Sequence, residues 1–245
     1  YQNSHSFADL LNITVGKKEH PFLLPSSLWD GDIDPEGFTQ QLGWMYEGDH
    51  WFKLRAGQYL IDEVREDRAP DMSDSWLYLV QAEYQRHFGL RSDLRIAPFF
   101  LYETKSRTSR AIAEGGNTPS NENSLNYFGN VGVVALPMEY TFIKGNTPHQ
   151  VYMSLGYNLL GEDAVNDRSS PYAPESHSGE LARASDNLSF NFGYSIGQSR
   201  HVRDWKLELE YRYLGAASIT PNLSDSDFGK NRLNQEGWLF SGSFM

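Results

Sequence analysis

Cysteine is absent from the 245-residue chain, and its absence excludes a whole group of chemistries. Without thiols the chain can form no disulfide and no zinc–thiolate site, and it cannot use a cysteine nucleophile. A chain without thiols is also compatible with an oxidising compartment of the cell envelope. Any functional site must therefore be built from other side chains.

Long apolar runs and excess positive charge are missing as well. No stretch approaches the roughly 18 apolar residues that a membrane-spanning helix requires, which excludes a helical membrane protein. Acidic residues number 32 against 21 basic ones, and no basic stripe that could follow nucleic-acid phosphates is present. The sequence therefore predicts neither membrane-spanning helices nor a nucleic-acid partner.

Aromatic residues, in contrast, are abundant. They make up 14% of the chain, with 14 Tyr and 14 Phe, although the hydrophobic fraction is only 39%. A soluble protein with so many aromatics would normally bury them in a core rich in Ile and Val, and this chain has few of either. The imbalance favours aromatic side chains on a surface, as in the girdles of a membrane protein.

The segment Gly237–Met245 shows the pattern of a transmembrane β-strand most clearly. Trp238 and Phe240 fall on one face, while Ser241 and Ser243 fall on the other. Strands of a transmembrane β-barrel alternate in this way, because one face meets lipid and the other meets water.

Nine further segments repeat this alternation, at about the length that a tilted membrane strand needs. With the C-terminal segment, the ten predicted strands are Phe7–Gly16, Phe38–Tyr46, Trp51–Leu60, Trp76–Phe88, Leu94–Glu103, Asn126–Phe142, Val151–Leu159, Leu188–Ile196, Trp205–Tyr213 and Gly237–Met245. Pro98 lacks an amide donor and predicts a bulge or weak pairing in the fifth strand. The sixth strand is apolar on both faces between Val131 and Met138, so its orientation stays open.

The connections between these strands alternate strictly in length. Short ones follow strands two, four, six and eight, and long polar ones, such as 107–123, 162–185 and 216–235, follow the others. Outer-membrane barrels have short periplasmic turns and long extracellular loops. We therefore expect a single domain, residues 1–245, that forms an all-β antiparallel transmembrane barrel of the bacterial outer membrane with its C-terminus in the periplasm. A soluble β-domain is the alternative.

Charged residues on the polar faces of the predicted strands are candidates for the wall of a pore. Alternation places them opposite the aromatic faces, toward the lumen. The eight predicted pore-lining residues are Lys53, Arg55, Glu83, Arg95, Lys206, Glu208, Glu210 and Arg212.

Two adjoining segments carry a resemblance to a known family. Gly16-Lys17-Lys18-Glu19-His20-Pro21-Phe22 is followed by Leu28-Trp29-Asp30-Gly31-Asp32-Ile33-Asp34-Pro35-Glu36-Gly37. These segments resemble a porin family of Gram-negative bacteria, in which a strand ends in Gly-Lys and the chain continues through Asn-Pro-Phe to a Trp-Asp-rich run ending in Pro-Glu-Gly. His20 stands where that family more often has Asn. The resemblance implies an outer-membrane β-barrel pore for small solutes, without catalytic residues.

The acidic run in this loop has its own possible chemistry. Asp30, Asp32, Asp34 and Glu36 place four carboxylates within seven residues. They could form a constriction loop that selects solutes by charge, or a solvated surface loop. They partly match a calcium loop, but Pro35 replaces the required Gly, and we expect no metal.

We therefore expect a porin, a passive channel for small hydrophilic solutes, with lipid as its surroundings, a possible homo-oligomeric state and no cofactor. Ten strands alone make a narrow pore, so either further strands complete a larger barrel or the lumen is plugged. The alternatives are a small barrel enzyme and a closed barrel acting as an adhesin or structural partner. For an enzyme, the candidates are Asp30 and Asp32 or the run Ser176-His177-Ser178, but sequence spacing pairs no nucleophile with a base.

Overall fold

The computed structural model describes residues 8–62, 75–108, 126–161, 187–215, 217–220, 223–225, 227–228 and 233–245. Its elements are eleven strands. They are β1 (Leu10–Lys17), β2 (Glu36–Tyr46), β3 (His50–Asp62), β4 (Ser75–Phe88), β5 (Ser92–Ile96), β6 (Phe99–Thr108), β7 (Asn126–Lys144), β8 (Thr147–Asn158), β9 (Leu188–Gln198), β10 (Trp205–Leu214) and β11 (Gln235–Phe244). No helix in the described part of the chain is long and apolar enough to cross a membrane.

All eleven strands belong to one antiparallel sheet, which confirms the all-β antiparallel architecture. The order is β1-β2-β3-β4-β5-β7-β8-β9-β10-β11, and β6 lies between β4 and β7 beyond the end of β5. Apart from this interruption, each strand pairs with its sequence neighbours. Among the described residues, β1 pairs only with β2, and β11 pairs only with β10.

The count is eleven rather than ten because the fifth predicted strand is divided at Ala97-Pro98. Proline cannot donate a ladder hydrogen bond, so β5 ends at Ile96 and β6 begins at Phe99. The register is unchanged across the gap, since β4 pairs Tyr84 with Ile96 and Gln81 with Phe99. The predicted weak pairing at Pro98 is confirmed, without a bulge.

The connections alternate in length as predicted. Four short turns occupy residues 47–49, 89–91, 145–146 and 199–204, whereas the other ends of the strands are joined by connections 18–35, 63–74, 109–125, 159–187 and 215–234. Residues with positive φ at the turns, including Glu47, Gly89 and Gly145, allow the tight reversals. All short turns therefore lie at one end of the sheet, which we call the turn end. The strand ends that the long connections join lie at the opposite end, which we call the loop end.

The two faces of the sheet differ sharply in exposure. On β4 the side chains alternate, so that Leu77, Leu79 and Gln81 are buried while Trp76 and Tyr78 are exposed. The same alternation decides the orientation of β7, where Val133 is buried and Val134 is exposed. We call the buried side the inner face and the exposed side the outer face.

The inner face is filled at the loop end by the connections themselves. Phe22, Leu28 and Trp29 from the first connection and Ile219 and Leu223 from the last are all buried against the sheet. We call this apolar packing the plug. Its wall consists of Tyr59, Leu77, Leu79, Phe99, Leu101, Val131, Val133 and Ala135.

Contacts of the first connection require the sheet to curve around it. Leu23 bonds through its backbone to Gln81 on β4, and Ser26 bonds to Glu210 on β10. Five strand spacings in a flat sheet would separate β4 from β10 by about 24 Å. The backbone from Leu23 to Ser26 spans three residues and so at most about 11 Å. The side chains of Gln81 and Glu210 add little to this lateral reach, because side chains stand roughly perpendicular to a sheet. The inner face is therefore concave.

Candidate functional site

Charged side chains line the inner face on the turn side of the plug. Glu83 on β4 is the centre of a first group, which we call the Glu83 cluster. Its carboxylate accepts hydrogen bonds from Lys53 at 3.0 Å, Arg55 at 2.7 Å and Arg95 at 3.1 Å. These residues meet because the register places Lys53 opposite Glu83, and Arg55 lies two residues further along β3 on the same face. Three cations thus share one buried carboxylate.

The Glu83 cluster continues toward β7 and toward the turn end. Arg95 also donates to Glu139 at 3.3 Å, and Lys53 donates to Gln85 at 2.8 Å. Gln85 in turn donates to Asp93 at 2.9 Å. Side chains from β3, β4, β5 and β7 therefore form one connected polar network along the wall.

A second group, the Glu210 cluster, lies on β10. Arg212 donates to both oxygens of Glu210, each at 3.1 Å, and to Asp225 of the last connection at 2.8 Å. A bidentate contact of this kind is the strongest way in which a guanidinium pairs with a carboxylate. Arg212 is 1% exposed, so it lies beneath the surface of the wall. It fastens the last connection to the sheet.

Tyr152 on β8 joins the two acids of β10. Its hydroxyl donates to Glu208 at 2.6 Å and lies 3.3 Å from Glu210, and Glu208 also accepts from Lys206 at 2.6 Å. The ring lies flat over Gly193, where an added Cβ would come within about 2.2 Å of it. Only glycine at position 193 leaves room for this ring.

Between the two clusters the inner face forms a partly open cavity of about 290 Å³. The first connection covers it, and β7 to β11 form its wall. Its lining residues are Leu23, Leu24, Pro25, Ser26, Pro137, Met138, Glu139, Gln150, Tyr152, Met153, Asn191, Glu208, Glu210, Arg212, Asp225, Leu239 and Ser241. Four of these are carboxylates and one is a guanidinium.

The eight predicted pore-lining residues thus lie on the inner face, in two groups rather than in one ring. Lys53, Arg55, Glu83 and Arg95 belong to the Glu83 cluster. The remaining four, from Lys206 to Arg212, lie on β10, and three of them line the cavity. Each of the basic residues pairs with a carboxylate of the wall or of the last connection. Whether they line an open pore stays a prediction.

The acidic run of the first connection lies at the loop end. Asp30 is buried, and its carboxylate accepts the backbone amide of Asp32 at 3.0 Å. Asp32, Asp34 and Glu36 are exposed. The part of this connection that enters the concave face is therefore its apolar and hydroxyl-bearing portion, Phe22 to Trp29. Ser27 within it donates to Asn191 at 3.1 Å.

His20 lies beside the plug. Its ring packs edge-on against Trp29, with 4.9 Å between the ring centroids, and also contacts Phe22. Burial lowers the pKa of His20 below its ordinary value of 6.5, although Glu19 and Asp34 oppose the shift through their negative charge. The neutral imidazole is thus the form that this packing favours.

Potential metal ligands lie away from the cavity, at one of the short turns. Glu47, Asp49 and His50, at the turn between β2 and β3, bring their ligand atoms within 4.8 Å of one another, and they are the metal-ligand group found among the described residues. The run Ser176-His177-Ser178 lies outside the described residues. The enzyme alternative is therefore untested at this run.

Sequence reasoning did not single out several residues of the cavity. Tyr152 and Asn191 lie on the predicted polar faces of their strands, so alternation indicates their direction but not their role. Glu139 lies in the strand that is apolar on both faces, where no phase could be assigned. Asp225 comes from a long connection, whose return to the wall has no periodic signal in sequence.

No family model matches the chain, and a search of the curated proteins finds no match.

Proposed function

We propose that the chain is an outer-membrane β-barrel protein that passes small hydrophilic solutes along its charged inner face. The outer face carries the argument. Large apolar side chains are exposed on strands from β1 to β11, and soluble monomers rarely expose contiguous apolar patches of this extent. Among them are Val15, Tyr46, Leu54, Val80, Phe100, Leu136, Leu155, Phe192, Leu209 and Phe240.

A lipid environment explains this surface best. On β8, β9 and β10 the exposed apolar residues alternate with buried polar ones such as Ser154, Asn191 and Glu210. This is the pattern of a barrel whose outside meets hydrocarbon and whose inside meets water. The likeness of residues 16–37 to a porin family supports the same proposal. Closure of the sheet, either by pairing of β1 with β11 or through further strands, is part of the proposal.

The proposal is tested by isolating the protein from membranes and by measuring conductance in a planar lipid bilayer. We expect extraction only with detergent, a heat-dependent shift in electrophoretic mobility and stepwise conductance. Protein that stays soluble without detergent and shows no mobility shift would contradict the membrane assignment.

The plug favours a second candidate, a closed barrel that acts as a structural or binding protein. Phe22, Leu28 and Trp29 pack tightly against the wall at the loop end, and such packing narrows any path through the barrel. The same bilayer experiment separates the two candidates. Insertion with a normal mobility shift but without conductance would favour the closed barrel.

A further inference from the structure

We propose that the inner cavity binds a small solute that carries an ammonium group together with hydroxyl groups, the chemistry of an amino sugar. The inference deepens the proposed function, and it rests on that function for the route by which the solute arrives. At about 290 Å³ the cavity is close to the smallest ligand pockets of proteins, and so it fits a solute of about one sugar ring.

The charge of the lining selects a cation. Glu139, Glu208, Glu210 and Asp225 face the cavity, while Arg212 is the one basic residue among the lining side chains. Arg95 and Lys206 pair with Glu139 and Glu208 from outside the lining, so the four carboxylates exceed the three cations around them by one negative charge. The protein wall on one side of this partly open cavity lowers the local dielectric and strengthens the attraction of the carboxylates for a cation.

Glu139 is the carboxylate most available to an ammonium group. In the described part of the chain its side chain accepts a single hydrogen bond, from Arg95 at 3.3 Å, and Arg95 is shared with Glu83. Glu208 is partly exposed and accepts from Tyr152 and Lys206. Glu210, in contrast, is buried, and both of its oxygens accept hydrogen bonds from Arg212.

Asn191 supplies an independent sign of a ligand. Its side chain lines the cavity, is 2% exposed and, among the described residues, makes one hydrogen bond, which it accepts from Ser27. A buried carboxamide has four hydrogen-bonding positions, and leaving them unused costs free energy. Gln150 also lines the cavity and makes no side-chain hydrogen bond to any residue that the structure describes. Solute hydroxyls would satisfy both amides.

A bare metal ion fits the cavity less well than an organic cation. The carboxylates that line it do not bring three ligand atoms together within 4.8 Å, in contrast with the turn residues Glu47, Asp49 and His50. In addition, Leu24, Pro137 and Leu239 give the cavity an apolar wall, against which a carbon skeleton can pack.

The test is equilibrium binding to the folded protein in detergent micelles at pH 6. The probes are D-glucosamine in its ammonium form and D-glucose, which has the same ring without the charge. We expect saturable binding of glucosamine, at least about tenfold tighter than that of glucose, because a charge-assisted hydrogen bond adds that much. Added salt should weaken glucosamine binding more than glucose binding.

Variants identify the site. Glu139→Gln and Glu208→Gln should each weaken glucosamine binding several-fold and leave glucose binding nearly unchanged. Glu236→Gln is the matched control, because Glu236 is an exposed carboxylate on β11 whose partner is Tyr211 on the outer face. It should bind glucosamine like the unsubstituted protein.

Three results would overturn the inference: equal affinity for the two sugars, no saturable binding of glucosamine, or full glucosamine binding by the Glu139→Gln/Glu208→Gln double variant. Since binding is measured in micelles, its outcome is independent of conductance. Binding without conductance would contradict the channel and support the binding site. Conductance without binding would support the channel and contradict the binding site.

Discussion

At the scale of single residues, Glu83 shows how the inner face balances its charges. Lys53 and Arg95 keep part of their side chains exposed, but Arg55 is 3% exposed and depends on this carboxylate. Buried charges are tolerated when they are paired and become costly when one partner is removed. Loss of the Glu83 carboxylate should therefore destabilise the whole cluster.

Replacing Glu83 by Gln should lower the free energy of unfolding by about 3 kcal/mol, because three cations lose their common carboxylate. Urea unfolding of the protein in micelles, followed by tryptophan fluorescence, measures the change. Glu208→Gln is the matched control on the same face. Its partner Lys206 is partly exposed, so the loss should stay below about 1 kcal/mol. Equal losses in the two variants would contradict the proposed role of Glu83.

His20 makes stability depend on pH. Its pKa is lowered in the folded state by burial, so the unfolded chain takes up the proton first as the pH falls. Stability should therefore decrease as pH falls below about 6.5, and the decrease should level off below the folded-state pKa. His20→Asn removes the titrating group and should flatten this part of the profile. The measurement is the urea midpoint of both proteins between about pH 5 and pH 8. An unchanged profile in the variant would assign the effect to other histidines.

At the scale of elements, β10 carries both faces of the sheet in its clearest form. Leu207 and Leu209 are exposed on the outer face, while Glu210 and Arg212 are buried on the inner face. The strand therefore allows a direct comparison of neighbouring positions in lipid.

Leu209→Arg should cost about 2–4 kcal/mol in lipid, because it places a charge near the middle of a membrane strand. Labelling gives a second measurement. A cysteine at Glu208 should react with a small water-soluble thiol reagent in lipid vesicles, while a cysteine at Leu209 should be protected. Labelling at Leu209 together with protection at Glu208 would mean that the faces are inverted.

The strands could be predicted from sequence, because alternation is a local signal. Pro98 even located the interruption between β5 and β6, since a proline has no amide hydrogen and interrupts the hydrogen bonding of a ladder wherever it lies. The orientation of β7 could not be predicted, because Val133 and Val134 are equally apolar and only pairing with neighbouring strands separates them. The plug could not be predicted either, since Phe22, Leu28 and Trp29 follow no period and reach partners far away in sequence.

At the scale of the whole molecule, the concave face is divided along its length. The plug occupies the loop end, and the charged clusters with their cavity lie next to it on its turn side. Of the four acids that the sequence suggested as a filter, Asp30 is buried, and Asp32, Asp34 and Glu36 are exposed at the loop end. Two sets of carboxylates could therefore control charge selectivity, and they differ in how strongly water screens them.

The last prediction compares these two sets in a planar bilayer by means of the reversal potential. Carboxylates of the cavity lie in a partly enclosed wall, where salt screens them weakly, whereas the loop acids lie in water, where the screening length is about 8 Å at physiological salt. Replacing Glu139 and Glu208 by Gln should therefore shift selectivity toward anions, and the shift should persist as salt rises. The triple variant Asp32→Asn, Asp34→Asn and Glu36→Gln should give a smaller shift that disappears at high salt. A larger and salt-resistant shift in the triple variant would instead identify the acidic loop as the filter, because only carboxylates that border the solute path can keep their influence when long-range fields are screened.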